Sequence, residues 1–353
     1  MTRWTIEQAR AWYAAQPWLV GCNFLPSTAI NQLEMFQAET FDRATIVREV
    51  GLAGSLGFNT LRIYLHDLLW HHDWAGFIRR INDVLAIADQ YGMKVVLTLF
   101  DDCHRPDPAI GVQPLPVWGV HNSGWKQSPG KLLVEQLAAG TAPAAELARL
   151  QRYVREVLTT FSGDPRVLMW DLYNEPGQSG YGDASLALLK LTWEWARAVR
   201  PSQPLTSCLD GAMGEQNIAL NAALSDIITF HCYDGPSLAK VIQRVRDVAA
   251  GRPILCTEYM AREQGSTFEH CLPIFKEYRI GCINWGLVQG KSQTHFNWQT
   301  AKYLDERRAA GRFVRPGETY PEREQWFHEI FRPDGTPYRA EEVTFIRQMT
   351  GRI

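Results

Sequence analysis

Residues 167–176 read VLMWDLYNEP, an almost uninterrupted apolar run that stops at Asn-Glu-Pro. A run this apolar is typical of a strand covered on both faces, as the strands of a parallel sheet are. Pro176 cannot donate a ladder hydrogen bond, so the strand ends beside Glu175. We therefore expect the carboxylate of Glu175 at the carboxyl end of a buried parallel strand.

Similar apolar runs recur along the chain and alternate with longer segments of helical periodicity. This order is typical of parallel strands joined by crossover helices. Eight strands are predicted, at Trp18–Phe24, Thr60–Leu65, Lys94–Phe100, Val167–Tyr173, Leu205–Leu209, Asp226–His231, Pro253–Glu258 and Gly281–Gly286. Eight such units predict an α/β protein with a (β/α)8 TIM barrel, a fold that needs about 250 residues plus insertions.

The predicted organisation is one catalytic barrel domain over residues 1–353. Before the first strand, Thr5 and Gln8 have the spacing of a capping box, which indicates an amphipathic helix within residues 1–17 that plugs or braces the bottom of the barrel. Residues 101–141 and 289–338 are too long for simple turns. We expect them to be long loops on the active-site face, because the loops after barrel strands line that face.

The composition excludes several classes of partner. Lys plus Arg number 36 and Asp plus Glu number 38, so no global positive field attracts nucleic acid. An apolar run of about 18 residues and the apolar core of a secretory signal are both missing, which predicts a cytoplasmic protein that binds no membrane. A secreted form whose signal has been removed stays open. The seven cysteines have no paired CxxC spacing, which argues against disulfides and a structural zinc site. The sequence does not indicate the oligomeric state.

A second apolar run also ends in an acid. Residues 254–259 read ILCTEY, so Glu258 ends the seventh predicted strand as Glu175 ends the fourth. Both carboxylates then face the same mouth of the barrel. Glycoside hydrolysis requires two such carboxyl groups, one to protonate the leaving oxygen and one to stabilise or attack the oxocarbenium-like centre. A separation of about 5–5.5 Å gives a covalent intermediate and retention of configuration.

These features together resemble clan A of the glycoside hydrolases and, within it, the cellulase-like glycoside hydrolase family 5. The resemblance runs through nearly the whole predicted barrel. It is carried by GFNTLR at 57–62, NEP at 174–176, HCY at 231–233, TEY at 257–259 and WG at 285–286. The resemblance implies a retaining β-glycoside hydrolase with Glu175 as acid/base and Glu258 as nucleophile.

The resemblance also implies roles for the neighbours of the two glutamates. Asn174 would donate to the sugar 2-hydroxyl, and Trp285 would form the floor of the sugar site. Arg62 and Tyr233 would hydrogen-bond the nucleophile, and His231 belongs to the same pattern. Arg62 would keep Glu258 ionised, whereas partial burial without a comparable cation would raise the pKa of Glu175. Purely structural roles stay open for Arg62, His231 and Trp285.

The segment FDDCH at 100–104 departs from the usual cellulase pattern. Adjacent strand residues point to opposite faces, so Asp101, Asp102 and His104 cannot all bind one ion. We therefore expect no metal and no cofactor. One of Asp101 and Asp102 is predicted to bind sugar hydroxyls while the other braces the loop.

Polar and aromatic residues at 118–125 are further candidates for substrate binding. Within HNSGW, the residues His121, Asn122 and Trp125 would shape the cleft, although a loop that only bonds to itself is an equal alternative. Indole faces stack on sugar rings. Two of the four tryptophans Trp118, Trp125, Trp285 and Trp298 are expected to contact ligand.

The leading hypothesis is a hydrolase of a β-linked oligosaccharide or glycoside. Loops that close one end of the cleft favour exo action slightly over endo action. A transglycosidase of the same mechanism, a carbohydrate-binding barrel without activity and a metal-dependent barrel hydrolase are the alternatives. The sugar and the linkage stay open.

Overall fold

The computed structural model describes residues 3–209, 214–300 and 325–352. Its strands are β1 (Val20–Asn23), β2 (Thr60–Tyr64), β3 (Lys94–Asp101), β4 (Val167–Asn174), β5 (Leu205–Thr206), β6 (Ile228–His231), β7 (Ile254–Tyr259) and β8 (Gly281–Asn284). They form one parallel sheet in the order β5-β4-β3-β2-β1-β8-β7-β6. A parallel bridge between Leu209 and Phe230 joins the two ends of this sheet. The predicted (β/α)8 barrel is thus confirmed, with every predicted strand present.

Helices surround this sheet. Those of the described residues are α1 (Ile6–Ala14), α2 (Gln32–Phe36), α3 (Arg43–Ser55), α4 (Asp67–Gln90), α5 (Lys131–Ala138), α6 (Ala144–Phe161), α7 (Leu186–Val199), α8 (Glu215–Leu224), α9 (Leu238–Ala249), α10 (Phe268–Glu277) and α11 (Ala340–Thr350). In α4 the apolar stripe through Phe77, Ile81, Val84 and Leu85 is buried against the barrel. Every helix in the described ranges is too short or too polar to cross a membrane.

Helix α1 lies beneath the barrel, at the amino ends of the strands. Its capping box is formed, since Gln8 N donates to Thr5 Oγ1 at 3.1 Å and Thr5 N donates to Gln8 Oε1 at 2.9 Å. Ala9 is fully buried. It belongs to a cluster with Leu19, Val96, Leu168, Met169, Ile227, Leu255 and Ile283, residues at or near the starts of strands. The helix therefore closes the bottom of the core.

One of the two predicted long loops contains a helix. Residues 131–138 of the predicted loop 101–141 form α5, so that part of the prediction is wrong. The signal was weak because Gly130 precedes the helix and provides no side-chain cap. Residues 102–130 are irregular, as expected. Of the second predicted loop, residues 289–298 and 325–338 form turns, bends and isolated bridges, and residues 299–300 have helical backbone. Residues 301–324 lie outside the described ranges.

Candidate active site

Glu175 follows the last residue of β4 and is held at the mouth of the barrel. Its φ of 43° is unusual for a residue with a side chain, and such strain is tolerated where the surroundings fix the backbone. The backbone N–H of Glu175 contacts Cys208 Sγ at 3.3 Å. The residue is 7% exposed, and its carboxylate has Oε1 2.6 Å from His231 Nδ1 and Oε2 3.1 Å from Cys103 Sγ.

Glu258 lies within β7 and accepts hydrogen bonds on both carboxylate oxygens. Oε1 accepts from the Arg62 guanidinium at 2.8 Å and from Tyr64 OH at 2.6 Å, and Oε2 accepts from Tyr233 OH at 2.7 Å. Burial alone would raise the pKa of Glu258, but the positive charges of His231 and Arg62, together with the hydrogen bonds from Tyr233 and Tyr64, outweigh burial and lower it. Glu258 is therefore kept ionised.

Arg62 is fully buried and connects the strands that carry the site. Its guanidinium contacts Asp171 Oδ2 at 2.7 and 3.0 Å, Asn174 Oδ1 at 2.7 Å and Asn23 Oδ1 at 2.8 Å. Sequence reasoning missed Asn23, Tyr64 and Asp171 as site residues. The signal for Tyr64 was its position two residues after Arg62, which places both side chains on the same face of β2. For Asp171 the signal was a charged residue inside an apolar strand.

His231, at the end of β6, lies between the two glutamates. Its Nδ1 is 2.6 Å from Glu175 Oε1 and 3.6 Å from Glu258 Oε2. Burial alone would lower the pKa of His231, but Glu258, the sulfur of Cys208 and Glu175 together raise it well above its ordinary value. The resulting positive charge lowers the pKa of Glu175 against the effect of burial. The expectation of a raised Glu175 pKa is therefore wrong, because it left out this imidazolium.

Asp101 and Asp102, adjacent in sequence, have separate tasks. Asp101 lines the cavity, where it accepts from Asn174 Nδ2 at 3.0 Å and Trp125 Nε1 at 2.6 Å, and burial raises its pKa to about 6. Asp102 points away from the cavity and accepts from Tyr173 OH at 2.6 Å and Gly177 N at 2.7 Å. Asp102 therefore braces the turn that carries Glu175.

The amide of Asn174 is almost fully used by protein partners. Its Oδ1 accepts from Arg62, and its Nδ2 donates to Asp101 and, at 3.5 Å, to Cys103 Sγ. The contact to sulfur is long and weak. It is the contact that an acceptor group of a ligand would replace.

These groups surround a cavity of about 530 Å³ at the carboxyl ends of the strands. Nine predicted site residues line it: Asp101, His121, Asn122, Trp125, Asn174, Glu175, Tyr233, Glu258 and Trp285. Arg62, His231 and Asp102 lie behind the lining. Trp118 is 43% exposed and packs against Phe296, with ring centroids 5.8 Å apart, outside the cavity lining. Three of the four candidate tryptophans, Trp125, Trp285 and Trp298, face the cavity.

Sequence reasoning missed six lining residues as site candidates. They are Cys103, His104, Arg105, Gln178, Ser179 and His328. All six belong to loops, where no periodicity indicates the direction of a side chain.

Comparison with known proteins places this site in a family. The family model described as cellulase (glycosyl hydrolase family 5) matches residues 50–291. The chain belongs to glycoside hydrolase family 5. It is thus a glycoside hydrolase with a glycoside as its substrate. No curated protein sequence matches this family 5 chain significantly.

Solved structures with a similar fold include other enzymes of this kind. A family 5 mannosidase from Rhizomucor miehei has a TM-score of 0.59 at 14% identity, over 96% of this chain and 94% of its own. An exo-β-1,4-mannosidase from Opitutaceae bacterium strain TAV5 has a TM-score of 0.56 at 17% identity, over 95% of this chain and 60% of its own. An endo-β-1,4-mannanase from Thermotoga petrophila has a TM-score of 0.56 at 11% identity, over 94% of this chain and 76% of its own. At these identities the likeness concerns the fold alone.

Proposed function

We propose that this family 5 enzyme hydrolyses a β-linked glycoside by double displacement, with Glu175 as acid/base and Glu258 as nucleophile. The observation that carries the assignment is the difference between the two carboxylates. Arg62, Tyr64 and Tyr233 hold Glu258 as an anion. Glu175 instead contacts His231, a group that carries a transferable proton.

In the first step, a carboxylate oxygen of Glu258 bonds to the anomeric carbon as the bond to the leaving oxygen breaks. Oε2 is the more available oxygen, because it has one donor whereas Oε1 has two. Glu175 protonates the leaving oxygen, and its 2.6 Å contact lets His231 supply that proton. In the second step, a water oxygen bonds to the anomeric carbon as the bond from that carbon to Glu258 breaks, and the water proton passes to Glu175 and back to His231.

The spacing of the two glutamates supports retention. One carboxylate oxygen of each and a ring nitrogen of His231 lie within 4.8 Å of one another. A retaining pair is about 5–5.5 Å apart, whereas an inverting pair needs about 6.5–9.5 Å to admit a water molecule. The observed spacing therefore supports the retaining arrangement.

The same three side chains have the chemistry of metal ligands, but their charges favour proton transfer. A protonated imidazole cannot ligate an ion, and Glu258, Cys208 and Glu175 raise the pKa of His231. The guanidinium of Arg62, 2.8 Å from Glu258, already neutralises that carboxylate. The proposed reaction therefore uses protein groups alone.

Contacts between the loop after β3 and the loop after β8 support exo action. Asn122 N donates to Ser292 O at 2.9 Å, and Gly119 N donates to Gln293 Oε1 at 2.9 Å. Behind them, Lys291 N donates to Ser27 O at 3.0 Å, after β1. Glu175 follows β4, so the leaving group lies on that side, and the joined loops wall off the glycone side. We propose release of one sugar from the non-reducing end, with β-mannosides as the first substrates to try.

Azide rescue tests the two roles. Glu175→Ala should still form the glycosyl-enzyme from an aryl glycoside whose leaving group needs no protonation. Azide then attacks from the face that the aglycone left and gives the β-azide. Glu258→Ala lacks the nucleophile, so azide attacks the substrate directly and gives the α-azide. The anomers are distinguished by NMR of the products.

Two outcomes would contradict the proposal. Exchanged anomers would mean that the two roles are swapped, and full activity of both variants on natural oligosaccharides would place the site elsewhere. Glu263→Ala is a matched control, because this glutamate follows β7 without lining the cavity. It should retain turnover and give no azide product.

A further inference from the structure

Two histidines from different loops share one wall of the cavity. His121 belongs to the loop after β3 and His328 to the residues after β8, and both line the cavity. Their ring centroids are 5.3 Å apart, and the residues are 4% and 1% exposed. The proposed reaction uses neither of them.

Backbone carbonyls fix the tautomer of both rings. His121 Nδ1 donates to Phe296 O at 2.8 Å, and His328 Nδ1 donates to Met260 O. A carbonyl only accepts, so the proton lies on Nδ1 and each Nε2 carries a lone pair. Burial lowers the pKa of His121 to about 3 and that of His328 well below its ordinary value, so both rings stay neutral. Met260 has a φ of 83°, a strained conformation in which its carbonyl accepts from His328.

The two lone pairs are available to a ligand. Within the described residues neither Nε2 has a hydrogen-bond partner, although both side chains line the cavity. Beside them, Asn122 Oδ1 is a buried acceptor without a partner in the described ranges. A buried acceptor without a donor costs free energy, which a donating ligand recovers.

The pair lies on the side of the nucleophile. The ring of His328 is 5.6 Å from that of Tyr233, whose hydroxyl donates to Glu258. A sugar whose anomeric carbon meets Glu258 therefore extends its other hydroxyls towards this wall.

We propose that His121 and His328 form an acceptor pair that binds two hydroxyl groups of the terminal sugar and selects a neutral glycone. The proposal rests on the proposed function and specifies its substrate class. An unprotonated carboxylate, sulfate or phosphate group would place oxygen lone pairs against nitrogen lone pairs, close to the Glu258 carboxylate. Uronic acids and sugars with charged substituents on these hydroxyls are thus disfavoured.

Substitutions of the two histidines, combined with modified substrates, test the acceptor pair. Asn at either position keeps an N–H near Nδ1 for the carbonyl but removes the cavity acceptor, whereas Gln places an amide oxygen near Nε2. His121→Asn and His328→Asn should lower kcat/KM on an aryl β-mannoside by about 2- to 10-fold each, and the Gln variants should restore part of it.

Monodeoxyfluoro aryl glycosides identify the hydroxyl involved, because fluorine cannot donate. On the substrate fluorinated at that hydroxyl, each Asn variant should have the same kcat/KM as the wild type. Fluorine also changes the reactivity of the sugar, but this effect cancels when the kcat/KM of the variant is divided by that of the wild type on the same substrate. His295→Asn is the matched control, since His295 is a buried histidine of the loop after β8 that does not line the cavity.

Three results would separate failure of this proposal from failure of the proposed function. Equal losses on all fluorinated substrates would show that the pair accepts no hydroxyl. A preference for an aryl β-glucuronide would assign the selection to Arg105, a cation that lines the cavity, and overturn the proposal. A wild-type chain without turnover of any glycoside would remove the proposed function, and the acceptor pair with it.

Discussion

At the scale of single residues, the charges of the site are balanced around Arg62. This cation is fully buried, and its hydrogen bonds to Asp171 and Glu258 offset the cost of removing it from water. His231 is the positive partner of Glu175. Each glutamate thus has its own cation, one permanent and one that can give up a proton, and this difference separates nucleophile from acid.

Glu175 and Glu258 were predictable because each follows an apolar run at a strand end. The charge states of the two glutamates were harder to predict from the sequence. The pKa of Glu175 depends on His231, which lies 56 positions away in the sequence. Resemblance placed His231 near the site but did not say which carboxylate it would contact. Only the barrel's closure brings the ends of β4 and β6 together.

Cys103 has a measurable effect on the acid at this scale. Its thiol contacts Oε2 of Glu175, the oxygen left for the leaving group because His231 contacts Oε1. A thiol is a weak donor and a hydroxyl a stronger one. Cys103→Ala should therefore raise the pKa of Glu175, and Cys103→Ser should lower it. At the basic limb of kcat/KM against pH, the proton that Glu175 shares with His231 is lost. A weaker donor to Glu175 leaves more negative charge to hold this proton, so the limb should move up in the first variant and down in the second.

Other groups that face Glu175 stay the same in both variants. They are Cys208 after β5, His231 on β6, Tyr233 after β6 and Glu258 on β7. Cys271→Ala, on α10, controls for loss of a buried thiol elsewhere and should leave the limb in place. Limbs that move in the same direction in both Cys103 variants would mean that the thiol acts only through packing.

At the scale of elements, the loops after β3 and β8 act as one wall. Sequence predicted where these loops lie, but not that they join, because their contacts connect backbone groups with single side chains. Gln293 is the main link: it accepts from Gly119 N at 2.9 Å and donates to Val117 O at 3.0 Å. Its own φ is 54°. Neither hydrophobic pattern nor turn chemistry indicates such a link.

Gln293→Ala should loosen the wall without unfolding the barrel. The buried N–H of Gly119 would lose its partner, at a cost of about 1–3 kcal/mol. The bond after Trp118, a residue that is 43% exposed, should then be cut by chymotrypsin about 5- to 100-fold faster, because local opening becomes easier. The rate is measured by limited proteolysis under native conditions.

Gln289→Ala is the matched control for Gln293→Ala. Gln289 belongs to the same loop, but its side chain contacts His295 and not the loop after β3. Its variant should be cut at the wild-type rate. Equal acceleration in both variants would show that the loop after β8 is loosened as a whole and that Gln293 is no special link.

At the scale of the whole molecule, stability and chemistry lie at opposite ends of the barrel. The carboxyl ends of the strands carry the two glutamates, whereas α1 closes the amino ends through Ala9. Barrel enzymes commonly show this division. It implies that the bottom can be weakened while the geometry of the site is kept in every molecule that remains folded.

Ala9→Arg tests this division, since Ala9 is fully buried while Ala11 of the same helix is exposed. A long charged side chain cannot fit among Leu19, Leu168 and Leu255, so the variant should lose about 2–4 kcal/mol of unfolding free energy in urea. Ala11→Arg adds the same side chain in water and should change stability little. For both variants, kcat per active site, counted by trapping the glycosyl-enzyme, should equal that of the wild type. A lower kcat in Ala9→Arg alone would show that α1 supports the geometry of the site across the whole barrel.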